Sequence, residues 1–310
     1  MSDALVRAVV DALRRRGAVD GVAVDRVTVG EAAVFVELSD DGPDGDGGDG
    51  PTGDVARRAG LAHRPRGAAP DADGADVETL ASWATGTAPA DGDPTVARAV
   101  GVATLNALSA PFVDWRDGDP MERLPAAVDA IATVGLFRPA FRKFADVEVR
   151  VVERDPVDAA GVETPPGVTV SAYPPEEVAT AMDGAAVVFV TGSTLVYGGL
   201  GDALAAAPPE ATVVVVGATA SVVPDPLFAA GAAVVAGAAV DDPASVRAAV
   251  RAGACGTDLH DAGLRKGVVA AAGDEGAGAA LGLDPEPTPT RSDDHGDCAD
   301  VPDSDETPEP

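Results

Sequence analysis

The stretch from Ala185 to Gly217, AAVVFVTGSTLVYGGLGDALAAAPPEATVVVVG, constrains the fold more than any other part of the chain. A short apolar run, Ala185 to Val190, ends in Thr191, Gly192, Ser193 and Thr194. An Ala/Leu-rich helical stretch follows, then a second β-branched run from Thr212 to Val216. Apolar runs of this length, without alternation, suit parallel strands covered on both faces. In such sheets the loops after the strand carboxyl ends meet at a ligand crevice. A turn of Thr191, Gly192, Ser193 and Thr194 opening a helix offers backbone N–H groups, hydroxyls and the positive end of a helix dipole. That chemistry suits an anion or a polar small molecule. The plainer reading makes Ser193 or Thr194 only the N-cap of its helix.

The rest of the chain extends this pattern on both sides. Strands are expected at Ala130–Phe137, Val147–Glu153, Val168–Ala172 and Ala233–Ala236, and helices at Pro139–Phe144, Pro175–Met182, Asp225–Ala230 and Pro243–Ala252. Alternation of this kind predicts a Rossmann-like, doubly wound parallel sheet over residues 125–270. Before it lies an α+β region, residues 1–112. An amphipathic helix carries Leu5, Val6, Val9, Val10 and Leu13 on one face. Strands Val22–Val29 and Ala32–Leu38 meet tightly at Gly30-Glu31, and a further strand is expected from Gly60 to Arg66. Helices follow at Asp76–Ala84 and Pro94–Leu108, the latter with Asp93 as N-cap. Residues 113–124 read as a linker, Asp40–Asp54 as a mobile acidic loop, and residues 271–310 as a disordered acidic tail.

The 310 residues carry a formal net charge of −29, and only two lysines, Lys143 and Lys266. Acidic excess with Arg preferred over Lys reads as adaptation to an extreme-halophile solvent, where molar salt shortens the Debye length to about 3 Å. No basic patch with interleaved aromatics is present, which argues against nucleic acid as a partner. No stretch reaches the roughly 18 consecutive apolar residues that span a bilayer, and no signal peptide is visible, so a soluble cytoplasmic protein without a membrane partner is expected. The two cysteines, Cys255 and Cys298, belong to no C-x-x-C pair, and Cys255 reads as a reduced thiol. The three histidines, His63, His260 and His295, form no four-ligand zinc pattern.

Four further positions bear chemistry. Gly135 ends the first strand of the second unit and allows a sharp turn or the close approach of a ligand. Arg138 follows it in the same crevice as the Thr191 turn, where a guanidinium suits a carboxylate or phosphate. The plainer reading of Arg138 is a surface ion pair. Glu153 closes the next strand 18 residues after Gly135, near the place where dinucleotide-binding folds hold a ribose hydroxyl, although G-x-G-x-x-G is missing. Asn106, late in an apolar helix, either caps that helix or reaches a ligand.

Five segments in order resemble a known family. They are AVGVATLNAL (Ala99–Leu108), VGLFRP (Val134–Pro139), the strand ending in Glu153, TGSTLVYGGL (Thr191–Leu200) and VGATASVVPDPLFAAGAAVVAGAAV (Val216–Val240). Together they are similar to the heavy-metal chelation family of bacterial and archaeal proteins. The resemblance implies an enolase N-terminal-like α+β domain joined to a Rossmann-like domain, with a ligand cleft between them. Two departures fall at that cleft. Tyr197-Gly198-Gly199 stands where members carry Asn-Gly-Thr, and Gly217-Ala218-Thr219 stands where they carry Gly-Pro-Ser. The resemblance implies a binding protein, or an enzyme of unstated reaction, for a chelated metal or an anionic metabolite, with a divalent metal ion as the cofactor to test. On that reading Arg138 and the Thr191–Thr194 turn hold the anion, while Glu153 and Asn106 supply oxygens. Such ligands suit hard cations better than thiophilic ones. The alternative is an enzyme using a nucleotide or S-adenosylmethionine, with Glu153 on the ribose. A third reading, a structural subunit, implies a stable homo-oligomer.

Overall fold

A computed structural model describes residues 2–40, 57–120, 128–136, 144–155 and 157–271. Arg138, His295, Cys298, nearly all of the helix expected at Pro139–Phe144 and of the Asp40–Asp54 loop, and the expected tail lie outside the described residues.

Helix α1 (Ser2–Arg15) leads into an antiparallel meander of β1 (Val22–Val29), β2 (Ala33–Asp40) and β3 (Arg57–His63). The third strand stops at His63 because the His63 N–H donates to Thr219 Oγ1, 2.9 Å away, and Pro65 has no N–H to give. Helices α2 (Val77–Trp83) and α3 (Pro94–Ser109) begin at aspartate caps. Asp76 Oδ1 accepts from Thr79 N and Asp93 Oδ1 from Thr95 N, both at 2.7 Å. Hydrogen bonds to the ionised form, from the Thr79 side chain and then its backbone to Asp76 and from the Thr95 backbone to Asp93, hold both carboxyls below their ordinary pKa.

The second sheet is built from β4 (Arg116–Asp117), β5 (Ala130–Val134), β6 (Glu148–Val152), β7 (Thr169–Tyr173), β8 (Val187–Thr191), β9 (Thr212–Val216), β10 (Val234–Val240) and β11 (Leu264–Ala270). Helices α4 (Val178–Met182), α5 (Thr194–Tyr197), α6 (Leu200–Ala206), α7 (Asp225–Ala229), α8 (Pro243–Arg251) and α9 (Thr257–Asp261) intervene. The strand order is β4-β11-β10-β9-β8-β5-β6-β7. The six strands from β7 to β10 are parallel. Counted from β5, their order is 3-2-1-4-5-6, the doubly wound dinucleotide-binding arrangement. The expected α/β class and parallel core are present. An antiparallel edge, β11 and β4, is added to them.

Burial explains the continuous apolar runs. Val188, Val190, Val213 and Val215 face a core shared with α1, α2, α3 and β2. Their neighbours Val187, Phe189, Val214 and Val216 face a second core on the other side. The central residues of both runs, Val187–Val190 and Val213–Val216, are therefore in a core, as parallel strands covered on both faces require. Strand β2 is likewise buried on both faces. Val34, Val36 and Leu38 join the shared core, while Ala33 and Phe35 pack toward α8 and β11. An ion pair, Glu37 Oε1 to Arg247 Nη1 at 2.6 Å, ties β2 to α8 with Glu37 only 4% exposed.

Candidate functional site

The strand order reverses between β5 and β8, the place in doubly wound sheets where ligands bind outside the strand carboxyl ends. Gly135 follows β5 with φ +95°, and its N–H donates to Val152 O at 2.9 Å. This turn ends the strand at Val134, three residues short of the expected Phe137. A Cβ at Gly135 would fall on the Thr191 side chain. The two loops thus touch at the reversal point, where only glycine permits it.

Across from Gly135, Thr191 Oγ1 and Ser193 Oγ share a hydrogen bond of 2.9 Å, and Thr194 Oγ1 donates to Thr191 O at 2.7 Å. Gly192 N–H donates to Val216 O at 2.7 Å, and a Cβ there would meet Ala220 N at 2.7 Å. Ser193 makes no side-chain cap. Helix α5 is only four residues long, because Gly198 and Gly199 take φ +89° and +95° and break it from α6. So short a helix contributes little dipole, and the turn offers hydroxyls more than a helix terminus.

Glu153 sits after β6 with both carboxylate oxygens engaged by backbone. Oε2 accepts from Leu136 N at 2.8 Å and Oε1 from Arg154 N at 2.9 Å. It braces the Gly135 loop. Asn106 caps nothing. It is 2% exposed, and its Nδ2 lies 2.7 Å from Leu61 O, 3.1 Å from Thr219 O and 3.4 Å from Ala218 O. It clamps β3 to the 3₁₀ turn Ala218–Ala220 that follows β9. Gly135, Glu153, Thr191 and Ser193 therefore lie near the β5/β8 reversal, whereas Asn106 lies at the Ala218–Ala220 turn.

Three side chains at this edge are not among the site residues the sequence singles out. His63, at the end of β3, meets Tyr197 of α5, with His63 Nε2 and Tyr197 Oη 3.0 Å apart. Their rings are 5.6 Å apart and tilted by 48°. The Arg154 guanidinium lies 3.7 Å over the Tyr197 ring. Desolvation of the imidazole, and then the Arg154 charge, hold the His63 pKa below its ordinary 6.5. Burial raises that of Tyr197, with Arg154 opposing. The hints in the sequence were Tyr197 itself, at a departure from the family's motif, and Arg154 directly after Glu153.

The sign of a pH effect follows. A folded-state pKa below the unfolded value means that the unfolded chain binds more protons between the two, so stability falls as pH drops through 6.5 toward the folded value. His260 is shifted the same way, again first by desolvation. Chemical denaturation between pH 8 and pH 5 is expected to show falling stability below about 6.5, with a shallower fall in His63→Gln. An unchanged slope in that variant would remove His63 from the effect.

Among the described residues no group of three or more His, Cys, Asp and Glu side chains is gathered for a metal ion. Cys255 is disulfide-bonded rather than the expected reduced thiol, since spacing along the chain does not report pairing across a fold. No helix among the described residues is long and apolar enough to cross a membrane.

No curated protein matches the chain. Two crystal structures resemble it in fold, both of proteins with unknown function from the DUF364 family. The one from Pyrococcus horikoshii has a TM-score of 0.65 at 18% identity, covering 86% of this chain and 99% of its own. The one from Desulfitobacterium hafniense DCB-2 has a TM-score of 0.60 at 16% identity, covering 86% of this chain and 98% of its own. Residues 120–269, which hold the strand reversal and both of its loops, match the family model DUF364, described as "Putative heavy-metal chelation".

Proposed function

We propose that this protein binds a small anionic metabolite, or the anionic chelate of a metal ion, in the crevice over the β5/β8 reversal. The observation that carries this reading is Arg154. Its guanidinium is laid on the ring of Tyr197, the last residue of the short helix that the Thr191–Ser193 turn opens, and it forms no salt bridge among the described residues. An oriented cation on the helix that a hydroxyl-bearing strand-end turn opens suits a carboxylate or phosphate. A metal is more reasonably held through its chelator than as a bare ion, because no three protein ligands converge among the described residues. The family description is compatible with this.

Calorimetric titration in molar salt with citrate, ferric citrate and inorganic phosphate tests it. Saturable binding of at least one is expected, with Arg154→Ala weakening it about tenfold to hundredfold, the worth of a charge-assisted hydrogen bond. Arg138→Ala should act in the same direction if its loop shares the site. Wild-type affinity in Arg154→Ala would remove this residue from the site.

The strand order favours a second reading, an enzyme using a nucleotide or S-adenosylmethionine. Against it, each oxygen of Glu153 already accepts a backbone N–H, from Leu136 and from Arg154, so a ribose would have to share them. A thermal-shift series with NAD, NADP, ATP and S-adenosylmethionine separates the two readings, since stabilisation rises with the concentration of any ligand that binds the native state.

A further inference from the structure

His63, Tyr197 and Arg154 come from distant parts of the chain, and all three reach solvent. His63 and Arg154 are exposed, and Tyr197 is half-buried. The phenol is their common contact. Its hydroxyl lies 3.0 Å from His63 Nε2, and the Arg154 guanidinium lies 3.7 Å from the centre of its ring. The backbone holds His63 in place, since its N–H donates to Thr219 Oγ1 at 2.9 Å. A protonated His63 would therefore set a second cation against the phenol that already carries Arg154.

The charges around the imidazole can be named element by element. Helix α5 brings Tyr197, and the loop after β6 brings Arg154. The Ala218–Ala220 turn carries no ionisable side chain, nor does Ala33, the cross-strand partner of His63 on β2. On its own segment the next charged residues are Arg64, whose Nη2 donates back to Gly67 O, and Arg66. Glu153 and Asp155, the chain neighbours of Arg154, act on the phenol. Each oxygen of Glu153 already accepts a backbone N–H. Desolvation, and then the Arg154 charge, keep His63 neutral near pH 7 in the free protein.

We propose that His63 is a binding residue of the anion site that becomes charged when the site is filled: an anion meeting Arg154 draws a proton onto the imidazole, so binding takes up a proton. This rests on the anion reading above and adds its regulation. The anion offsets the Arg154 charge that opposes protonation, and it brings an opposite charge of its own. The coupling is reciprocal. The factor by which the anion raises the proton affinity of His63 is the factor by which protonation raises the anion affinity. Both cations contact one phenol, so molar salt screens them less than charges parted by water.

The test follows the His63 imidazole by NMR through a pH series of the full chain in molar potassium chloride. The chain has only three histidines, and the signal lost in His63→Gln assigns the right one. The probes are sulfate and oxalate, which both stay doubly charged from pH 8 to pH 5.5. A saturating probe is expected to move the His63 titration midpoint to higher pH. In the free protein, Arg154→Ala should move it the same way, because a cation is removed. By calorimetry the probe should bind about threefold to tenfold more tightly at pH 5.5 than at pH 8. His63→Gln, at an exposed position, should fold as the wild type does and flatten that dependence. A midpoint unmoved by a probe that binds, a midpoint unmoved by Arg154→Ala, or an unchanged pH dependence in His63→Gln would each overturn the proposal and leave the anion reading in place. Failure of both probes to bind overturns it too, whereas the anion reading falls only if citrate, ferric citrate and phosphate fail as well.

Discussion

Gly60→Ala is expected to cost about 3 kcal/mol or more, the upper part of the range for overpacking a core. A Cβ at Gly60 would land on Ala107 N and Ala103 O. Both are backbone atoms of α3, so no side chain can rotate away. The helix would have to lift off β3, and with it the Asn106 clamp on Leu61 O and Thr219 O. Gly60 has no left-handed φ, so the loss measures the steric term alone. For a protein of this size it corresponds to a fall in Tm of roughly 6–12 °C. Thermal melts of the variant in molar salt check it, and a fall of under about 2 °C would mean that the helix moves aside freely.

Gly135→Ala is expected to combine two penalties. The φ of +95° is unfavourable for any residue with a Cβ, at about 1–2 kcal/mol. The added carbon also strikes Thr191. A total near about 3 kcal/mol follows from adding about 1–3 kcal/mol for the clash. Gly184→Ala separates the terms. Gly184 also has a positive φ, +67°, but a Cβ there would meet nothing within 4 Å. It should lose only the backbone part, about 1 kcal/mol. The two variants should differ in binding as well. Gly135→Ala forces apart the loops that form the crevice and should abolish anion binding, while Gly184→Ala should bind as the wild type does. If Gly135→Ala kept its ligand at wild-type affinity, the crevice would not be the binding site.

Much of the fold is legible locally. The β8 and β9 runs announce parallel strands because four consecutive residues in each, Val187–Val190 and Val213–Val216, must be apolar when both faces are covered. Asp76 and Asp93 mark helix starts because a short carboxylate side chain meets free N–H groups within its own turn. Strand β1 occupies Val22–Val29 as the pattern indicates. All of these depend on neighbours within a few residues.

What escaped the sequence depends on distant partners. Strand β11, LRKGVVA, has two charges and a glycine, and it is a strand because β10 offers an edge and Trp115 covers its Gly267. The same pairing lengthens β10 to Val240, four residues past the expected Ala236. The positions of Gly135 and the Thr191 turn at strand ends were readable because glycine and hydroxyls mark where an apolar run stops. Asn106 was readable as a polar residue in an apolar helix, but not as a clamp, since Leu61 and Thr219 lie far away in the chain. The cluster of His63, Arg154 and Tyr197 draws on two strand ends and a short helix far apart in the chain. The sequence alone determined that the strands are parallel and where their ends carry hydroxyls and glycine, because burial on two faces and turn geometry are short-range demands. Only the tertiary structure decided which strand ends meet, and so which side chains share the crevice, because sheet order is set by packing between segments that no local pattern connects.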